Sequence, residues 1–409
     1  MLIVSTKINK GIQLKPEHKL RSWPTWPNYG KSELKAVSDV LLSNQLFAAG
    51  RVKSFEESFG EFLGLEHVVG VGNATQALHL SLAACGVGQG DEVIVTNCSW
   101  ISTASCILMQ NAIPVFVDIE SETFGPDPEA VRKAITPRTK AIITVHILGY
   151  PSKIEELQRI ASEFNLILIE DASHAPGASI NGKNLGTFGD ISVYSFHQRK
   201  AISAGEGGVA CTSNASIAQS LRKLRSFGHD ELSYNYRMTE FSAALALVRL
   251  SNIKLENELR EESANILSLH MEKFDWARVR LCESSAKGAY YAIAIELNLK
   301  DSASQKLLEK LVGYGVPMRS MFPPLNLHPH FNQPDPARGN PWQHPNYEGV
   351  MKNVKYKTLD FPVSYEFCQG RVLELYCHPG TTEEHISAFV EILSTEYQKL
   401  VKGNLRENW

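Results

Sequence analysis

Leu166-Ile-Leu-Ile-Glu-Asp171, followed by Ile191-Ser-Val-Tyr-Ser-Phe196 and then by Lys200, is the stretch on which the fold turns. An acidic residue closes one apolar β-like run, and a lysine follows the next. A glycine-rich run, Gly205-Glu-Gly-Gly208, comes just after. Near-continuous apolar strands of this kind belong to a mostly parallel sheet covered on both faces, whose ligands sit at the carboxyl ends of the strands. Asp171 and Lys200 both fall just past strand ends. A carboxylate and a lysine so placed fit pyridoxal phosphate: the amine holds the aldehyde as a Schiff base, and the carboxylate keeps the pyridine nitrogen protonated. On spacing alone, a solvated acid and a surface lysine beside Arg199 would serve as well.

Outward from this stretch, the β/α alternation runs from residue 66 to about 212. Candidate strands are 67–71, 92–96, 113–117, 140–145, 166–170, 191–195 and 208–212. Helical segments near 75–85, 99–110, 128–136 and 153–164 lie between most of them. A long helix is expected from Met238 to about Phe274, with Ala243, Ala244, Leu247 and Leu250 on apolar spacing. A second β/α pattern follows, with a strand at 290–295 and helices near 303–313 and 382–400. These patterns predict a large sheet domain over residues 1–255, including an extended N-terminal segment, and a smaller C-terminal α/β domain over 256–409. Eight prolines between Pro317 and Pro345 predict an extended loop, of a length that often forms a binding lid. Trp23-Pro-Thr-Trp26-Pro27 is a second extended segment, whose two tryptophans need cover.

The bulk numbers narrow the function. The chain has 409 residues, 43% hydrophobic and 21% charged, and its net charge of −3 gives no reason to expect nucleic acid or an anionic membrane as partner. Seven cysteines without a Cys-x-x-Cys pair suggest buried thiols and no metal site. With no signal peptide and no apolar stretch of membrane-spanning length, a cytoplasmic location is expected. His328-Pro-His330, with Asp335 and His344, fits no zinc spacing; substrate contact or plain loop is the better reading.

Further candidates surround the pair. Gly72-Asn-Ala74-Thr75 ends a strand and opens a helix, an arrangement that can cradle phosphate, although an N-cap at Asn73 or Thr75 would account for it too. Thr75 stands where a third glycine belongs, which disfavours a nicotinamide fingerprint. Trp100, after the strand ending at Thr96, could stack on a flat ring or simply belong to the core or rim. His174 could meet the ring's phenolic oxygen or be structural. Ser195 supplies a hydroxyl for phosphate.

In order and spacing, these motifs resemble the DegT/DnrJ/StrS family of pyridoxal phosphate-dependent sugar aminotransferases. The likeness covers roughly residues 20–380 and is carried by Gly-Asn-Ala-Thr75, Glu-Asp-Ala-Ser-His174, Ser-Phe-His-Gln-Arg-Lys200, Gly-Glu-Gly-Gly208, Tyr234-Asn-Tyr-Arg-Met-Thr-Glu240 and Phe322-Pro-Pro-Leu-Asn326. The resemblance implies the aspartate-aminotransferase fold (type I) and a homodimer with shared active sites. It implies Lys200 as Schiff-base lysine and Asp171 as pyridinium partner. Ala74, Thr75 and Ser195 would lie around the phosphate, Trp100 would stack, and His174 would meet the ring oxygen. Asn235 would reach the phosphate from the neighbouring subunit. Arg237, Phe322 and His328 are candidate substrate contacts. Two positions depart from the pattern: His174 stands where the family has Gln, and Gly72-Asn73-Ala74 replaces its Gly or Ser/Gly pair.

The expected activity is ping-pong transfer of an amino group from L-glutamate or L-glutamine to the ketone of a sugar or cyclitol. The freed Lys200 amine would move a proton as base and acid. Dehydration on the same cofactor and a catalytically silent regulator are the alternatives. Related dehydratases replace the lysine with histidine, whereas this chain keeps Lys200.

Overall fold

Seven short apolar strands build the main sheet because their side chains alternate between two helical layers. A computed structural model describes residues 23–47, 49–227, 232–299, 301–332 and 360–406. The strands β1 (His67–Val71), β2 (Glu92–Thr96), β3 (Ile113–Val117), β4 (Thr139–Val145) and β5 (Ile167–Asp171) precede a small hairpin, β6 (Ser179–Ile180) and β7 (Lys183–Asn184). After it come β8 (Ile191–Ser195) and β9 (Gly208–Thr212). The sheet order is β1-β9-β8-β5-β4-β2-β3. Val68, Ile94, Ile142 and Leu168 pack on one face with Phe55, Phe59, Leu157 and Ala246. Their neighbours Val69, Val93, Ile143 and Ile169 pack on the other with Leu78, Leu80, Ile107 and Leu221. Both faces are therefore dry, and period-two alternation is hidden in strands that are apolar throughout.

The central pairs β3/β2, β2/β4, β4/β5 and β5/β8 are parallel, while β9 runs antiparallel to both β8 and β1. This reversal matters for the site. Ser195 at the end of β8 and Val71 at the end of β1 both face Gly208 at the start of β9. The β8–β9 hairpin loop thus carries Lys200 to the same sheet edge as Asp171, the last residue of β5. Gly208 permits the close approach there: a Cβ on it would stand 2.7 Å from the Ala74 nitrogen and 2.9 Å from the Tyr194 oxygen.

A second sheet, order β10 (Ala277–Val279), β12 (Ile293–Leu297), β14 (Val372–Leu375), β13 (Met318–Ser320), is antiparallel throughout. The remaining short strand, β11 (Ala286–Lys287), pairs with β6. Helices Ile253–Met271, Asp301–Gly313 and Glu383–Arg406 accompany this sheet. Its apolar core includes Ile293, Ile295, Leu373 and Phe389, and continues into Trp23, Phe124 and Tyr150 from earlier in the chain.

Three expectations need correction. The long helix from Met238 is two helices, Glu240–Leu250 and Ile253–Met271. At the break, Ser251 Oγ and Asn252 Nδ2 both donate to the Val248 carbonyl, competing with the helical ladder. Part of the proline-rich loop is not extended: Leu325–Leu327 forms a 3₁₀ turn and Pro329–Asn332 a helical turn. Proline is tolerated there because the first turn of a helix needs no N–H from it. The loop beyond, with Asp335 and His344, lies outside the described residues. Finally, helices Lys31–Leu42, Arg51–Leu63 and Ala215–Arg225 go unnamed in the sequence pattern. Leu34, Leu41 and Leu42 of the first point to solvent in the single chain, which blurs its apolar stripe.

Candidate active site

At the carboxyl edge of the main sheet, a cavity of about 710 Å³ is lined by Ala74, Thr75, Trp100, Thr103, Asp171, His174, Ser195, Lys200, Tyr291, Arg319 and Phe322 among others. Such a volume holds a cofactor-sized ligand with room for a small substrate. Of the predicted residues, Ala74, Thr75, Trp100, Asp171, His174, Ser195, Lys200 and Phe322 come together here. Asn235, Arg237 and His328 do not line it.

Lys200 leaves the hairpin loop with its amide donating to His197 O at 2.8 Å. Its amine lies 4.9 Å from the Tyr291 ring centre. Burial, reinforced by Arg319 and opposed by Asp171 and Glu374, lowers its pKa from 10.5 to about 8. A useful fraction is therefore unprotonated, and nucleophilic, near neutrality.

Asp171 is buried, and its carboxylate accepts from Thr103 Oγ1 at 3.0 Å and from the Ser173 amide at 3.2 Å. Thr103 itself is tied to Ser99 by a 2.8 Å hydroxyl contact. Glu170, the adjacent carboxylate, points away: it accepts from the amides of Gly186, Phe188 and Gly189 and meets His146, all within the core. One strand end thus separates two acids, one turned to the cavity and one structural.

His174 accepts from the Leu148 amide at Nδ1, 3.1 Å away. The proton of the neutral ring is thereby assigned to Nε2. Burial first, then Lys200 and Arg319, hold its pKa well below 6.5, so the ring is neutral at pH 7. It stacks on Tyr291, with centroids 4.2 Å apart and planes at 10°. A neutral donor is what Gln would offer at this position.

Asn73 caps the helix Ala74–Ala84 through Gln76, so the N-cap reading is correct for Asn73. The cap leaves Ala74 and Thr75 to line the cavity. Thr75 Oγ1 donates to Ser102 Oγ at 2.7 Å. Trp100 is 58% exposed, set edge-on to Phe322 at 6.2 Å, and so belongs to the cavity mouth, not the core.

Arg237 packs over Phe227 and Phe47 at 4.3 and 4.9 Å. Asn235 is exposed beside it, bridged to Ser226. His328 faces His330, ring to ring at 4.7 Å.

Sequence reasoning passed over Thr103, Tyr291 and Arg319. Arg319 Nε donates to Glu374, and Tyr376 hydroxyl braces the same carboxylate at 2.7 Å. The guanidinium lies 4.4 Å from the Phe322 ring centre. A lone cation inside the short strand Met318-Arg-Ser320 was the available signal.

The cavity suits pyridoxal phosphate in three respects. It holds an enclosed amine of lowered pKa, a buried and oriented carboxylate, and a helix N-terminus kept open by an obligatory glycine at 208. Fold and site together define a type I pyridoxal phosphate-dependent aminotransferase. The family model of the DegT/DnrJ/EryC1/StrS aminotransferases matches residues 27–394, and the chain belongs to that family. It is 32% identical over 401 residues to an uncharacterized protein of Methanocaldococcus jannaschii, covering 93% of this chain and 98% of that one. It is 33% identical over 346 residues to the L-glutamine:2-deoxy-scyllo-inosose aminotransferase of Streptomyces kanamyceticus, covering 78% and 80%. The crystal structure of 3-amino-5-hydroxybenzoic acid synthase superposes with a TM-score of 0.84 at 27% identity, covering 93% of this chain and all of that one. Among the described residues no helix is long and apolar enough to cross a membrane.

Proposed function

We propose that this aminotransferase moves an amino group from L-glutamate or L-glutamine to the ketone of a cyclitol or sugar. The observation that carries the reading is the placing of a lowered-pKa lysine and a braced arginine in one cavity. When bound, pyridoxal phosphate supplies the electron sink that makes the donor's Cα proton removable. The chain's residues supply the rest. Lys200 holds the cofactor, then takes and returns the proton as base and acid. Asp171, fixed by Thr103 and Ser173, keeps the pyridine nitrogen protonated. Ala74, Thr75 and Ser195 would hold the phosphate, Trp100 would cover the ring, and neutral His174 would donate to its oxygen. Arg319, with Nε committed to Glu374, presents the rest of its fork to a donor carboxylate. Phe322 walls the acceptor side.

The ketone class rests on the 2-deoxy-scyllo-inosose relative. Asn235, exposed, and Arg237, half-buried over Phe227 and Phe47, both outside their own chain's cavity, fit a homodimer in which they serve the neighbouring site. His328 is kept as an outer substrate contact, a division near residue 255 as the domain boundary, and the cytoplasm as the location. The test is an absorbance spectrum of the holoenzyme with glutamate, then glutamine. Bleaching of the visible band identifies the donor, and Lys200→Ala abolishes both bleaching and turnover with a keto-cyclitol. Full activity of Lys200→Ala would sink the mechanism.

A further inference from the structure

The N-terminal tryptophans, expected to need cover, find it in a place that touches the chemistry. Trp26 Nε1 donates to the carbonyl oxygen of Lys200 at 2.9 Å. With the Lys200 amide already held by His197 O, both backbone polar groups of the lysine are fixed. Only its side chain is left to swing.

The indole that makes this bond is itself held on two sides. One face stacks on His378, centroids 5.5 Å apart and planes at 18°. Arg249 and Arg260 lie 4.7 and 5.1 Å from its ring centre. Both arginines are buried and paired: Arg249 with Glu33 and Glu256, Arg260 with Glu256 and Asn257. Cations over the face of an indole are attracted by the ring's quadrupole, and more strongly where the pair is out of water. Three residues earlier, Trp23 Nε1 donates to Tyr376 O at 2.9 Å. Three residues later, the Tyr29 hydroxyl meets Ser203 Oγ at 2.8 Å, and Ser203 donates to Gln198 O within the Lys200 loop. The segment from Trp23 to Tyr29 therefore ties the second sheet to the lysine loop at two points.

We infer that Trp26 is a positioning residue for Lys200: the segment Trp23–Tyr29 clamps the lysine loop so that the amine swings from a fixed root between holding the cofactor and carrying the proton. This rests on the reading of Lys200 given above. A lysine that must serve two positions loses rate steeply when its root drifts, because misplacement of about 1 Å can cost on the order of a hundredfold. The buried arginines stiffen the clamp from behind, and the carbonyl bond transmits that stiffness.

The experiment mixes cofactor-free wild type, Trp26→Phe, Trp26→His and Tyr29→Phe with excess pyridoxal phosphate. It follows growth of the visible band, and then measures kcat and donor KM on the loaded proteins. Trp26→Phe keeps a ring against the arginines but loses the N–H. Band growth is expected to slow about tenfold and kcat to fall by a similar factor, with donor KM within twofold. Trp26→His, which keeps a ring N–H, is expected to recover part of the loss. Tyr29→Phe, at a half-exposed position that leaves the core untouched, is expected to slow band growth two- to threefold and tests the clamp should Trp26→Phe not fold. Wild-type band growth in Trp26→Phe or, failing its folding, in Tyr29→Phe overturns the proposal. So does an equal loss in Trp26→Phe and Trp26→His that follows their melting temperatures. A wild type that forms no band overturns the reading of Lys200 itself, and the clamp with it.

Discussion

Thr103, the second residue of the helix Ser102–Met109 that begins just after Trp100, donates its hydroxyl to Asp171 Oδ2 at 3.0 Å. The bond ties the loop after β2 to the end of β5 and aims a buried carboxylate into the cavity. A hydrogen bond to a charged group contributes about 1.5–3 kcal/mol, and a buried acceptor left without it bears the desolvation cost. Thr103→Val is expected to lower kcat at least tenfold and to weaken cofactor retention on dialysis, whereas Thr103→Ser retains most of both. Unchanged kinetics in Thr103→Val would remove Thr103 from the machinery.

The lowered pKa of Lys200 sets a pH dependence. In the proposed role of Lys200 the neutral amine is the form that would capture the cofactor, and its fraction grows as pH rises through the folded value of about 8, not through 10.5. Capture of pyridoxal phosphate by the cofactor-free protein should therefore accelerate between pH 7 and 8 and level off by about pH 9. Arg319 contributes to the lowering, so Arg319→Gln is expected to move the midpoint upward. Stopped-flow growth of the visible band across that range checks both.

His174 carries the opposite test. Its folded pKa lies below 6.5 while the unfolded chain keeps the ordinary value, so below about pH 6.5 the unfolded state binds the proton first. Above that pH the neutral ring carries no penalty; below it, stability is lost progressively. His174→Gln keeps an N–H donor without titrating. The gap in melting temperature between variant and wild type should move in the variant's favour as pH falls from 7 to 5, with kcat at pH 7.5 within about threefold. His174→Leu should lose considerably more.

The parts legible in the sequence were those with local signatures. Strands such as Glu92–Thr96 and Gly208–Thr212 stand where their apolar runs place them, because a buried strand between two turns has few alternatives. Asp171, Lys200, Thr75 and Trp100 converge because each closes or follows a strand that ends at one edge of the sheet. What stayed hidden depends on distant pairing. Tyr291 and Arg319 reach the cavity only through the second sheet, whose antiparallel order the β/α spacing did not disclose. Thr103 looks like any helical threonine until Asp171 is beside it. Trp26 looked like an exposed aromatic because its cover, His378, Arg249 and Arg260, comes from more than 200 residues away.

Arg319 offers the sharpest separation of binding from chemistry. Its Nε is committed to Glu374, which Tyr376 braces in turn, so the guanidinium cannot rotate without breaking that contact. The ring of Phe322 beneath it excludes water from one side. A planar fork held this way suits a carboxylate, and a lysine in its place would offer a point charge without the second bond. Arg319→Lys should therefore raise donor KM by tenfold or more and leave cofactor capture near wild type. Glu374→Gln keeps the shape but weakens the brace, and should raise donor KM by a smaller factor. If Arg319→Lys instead lowers kcat with donor KM unchanged, the arginine acts on the transition state or on Lys200, and the carboxylate belongs elsewhere.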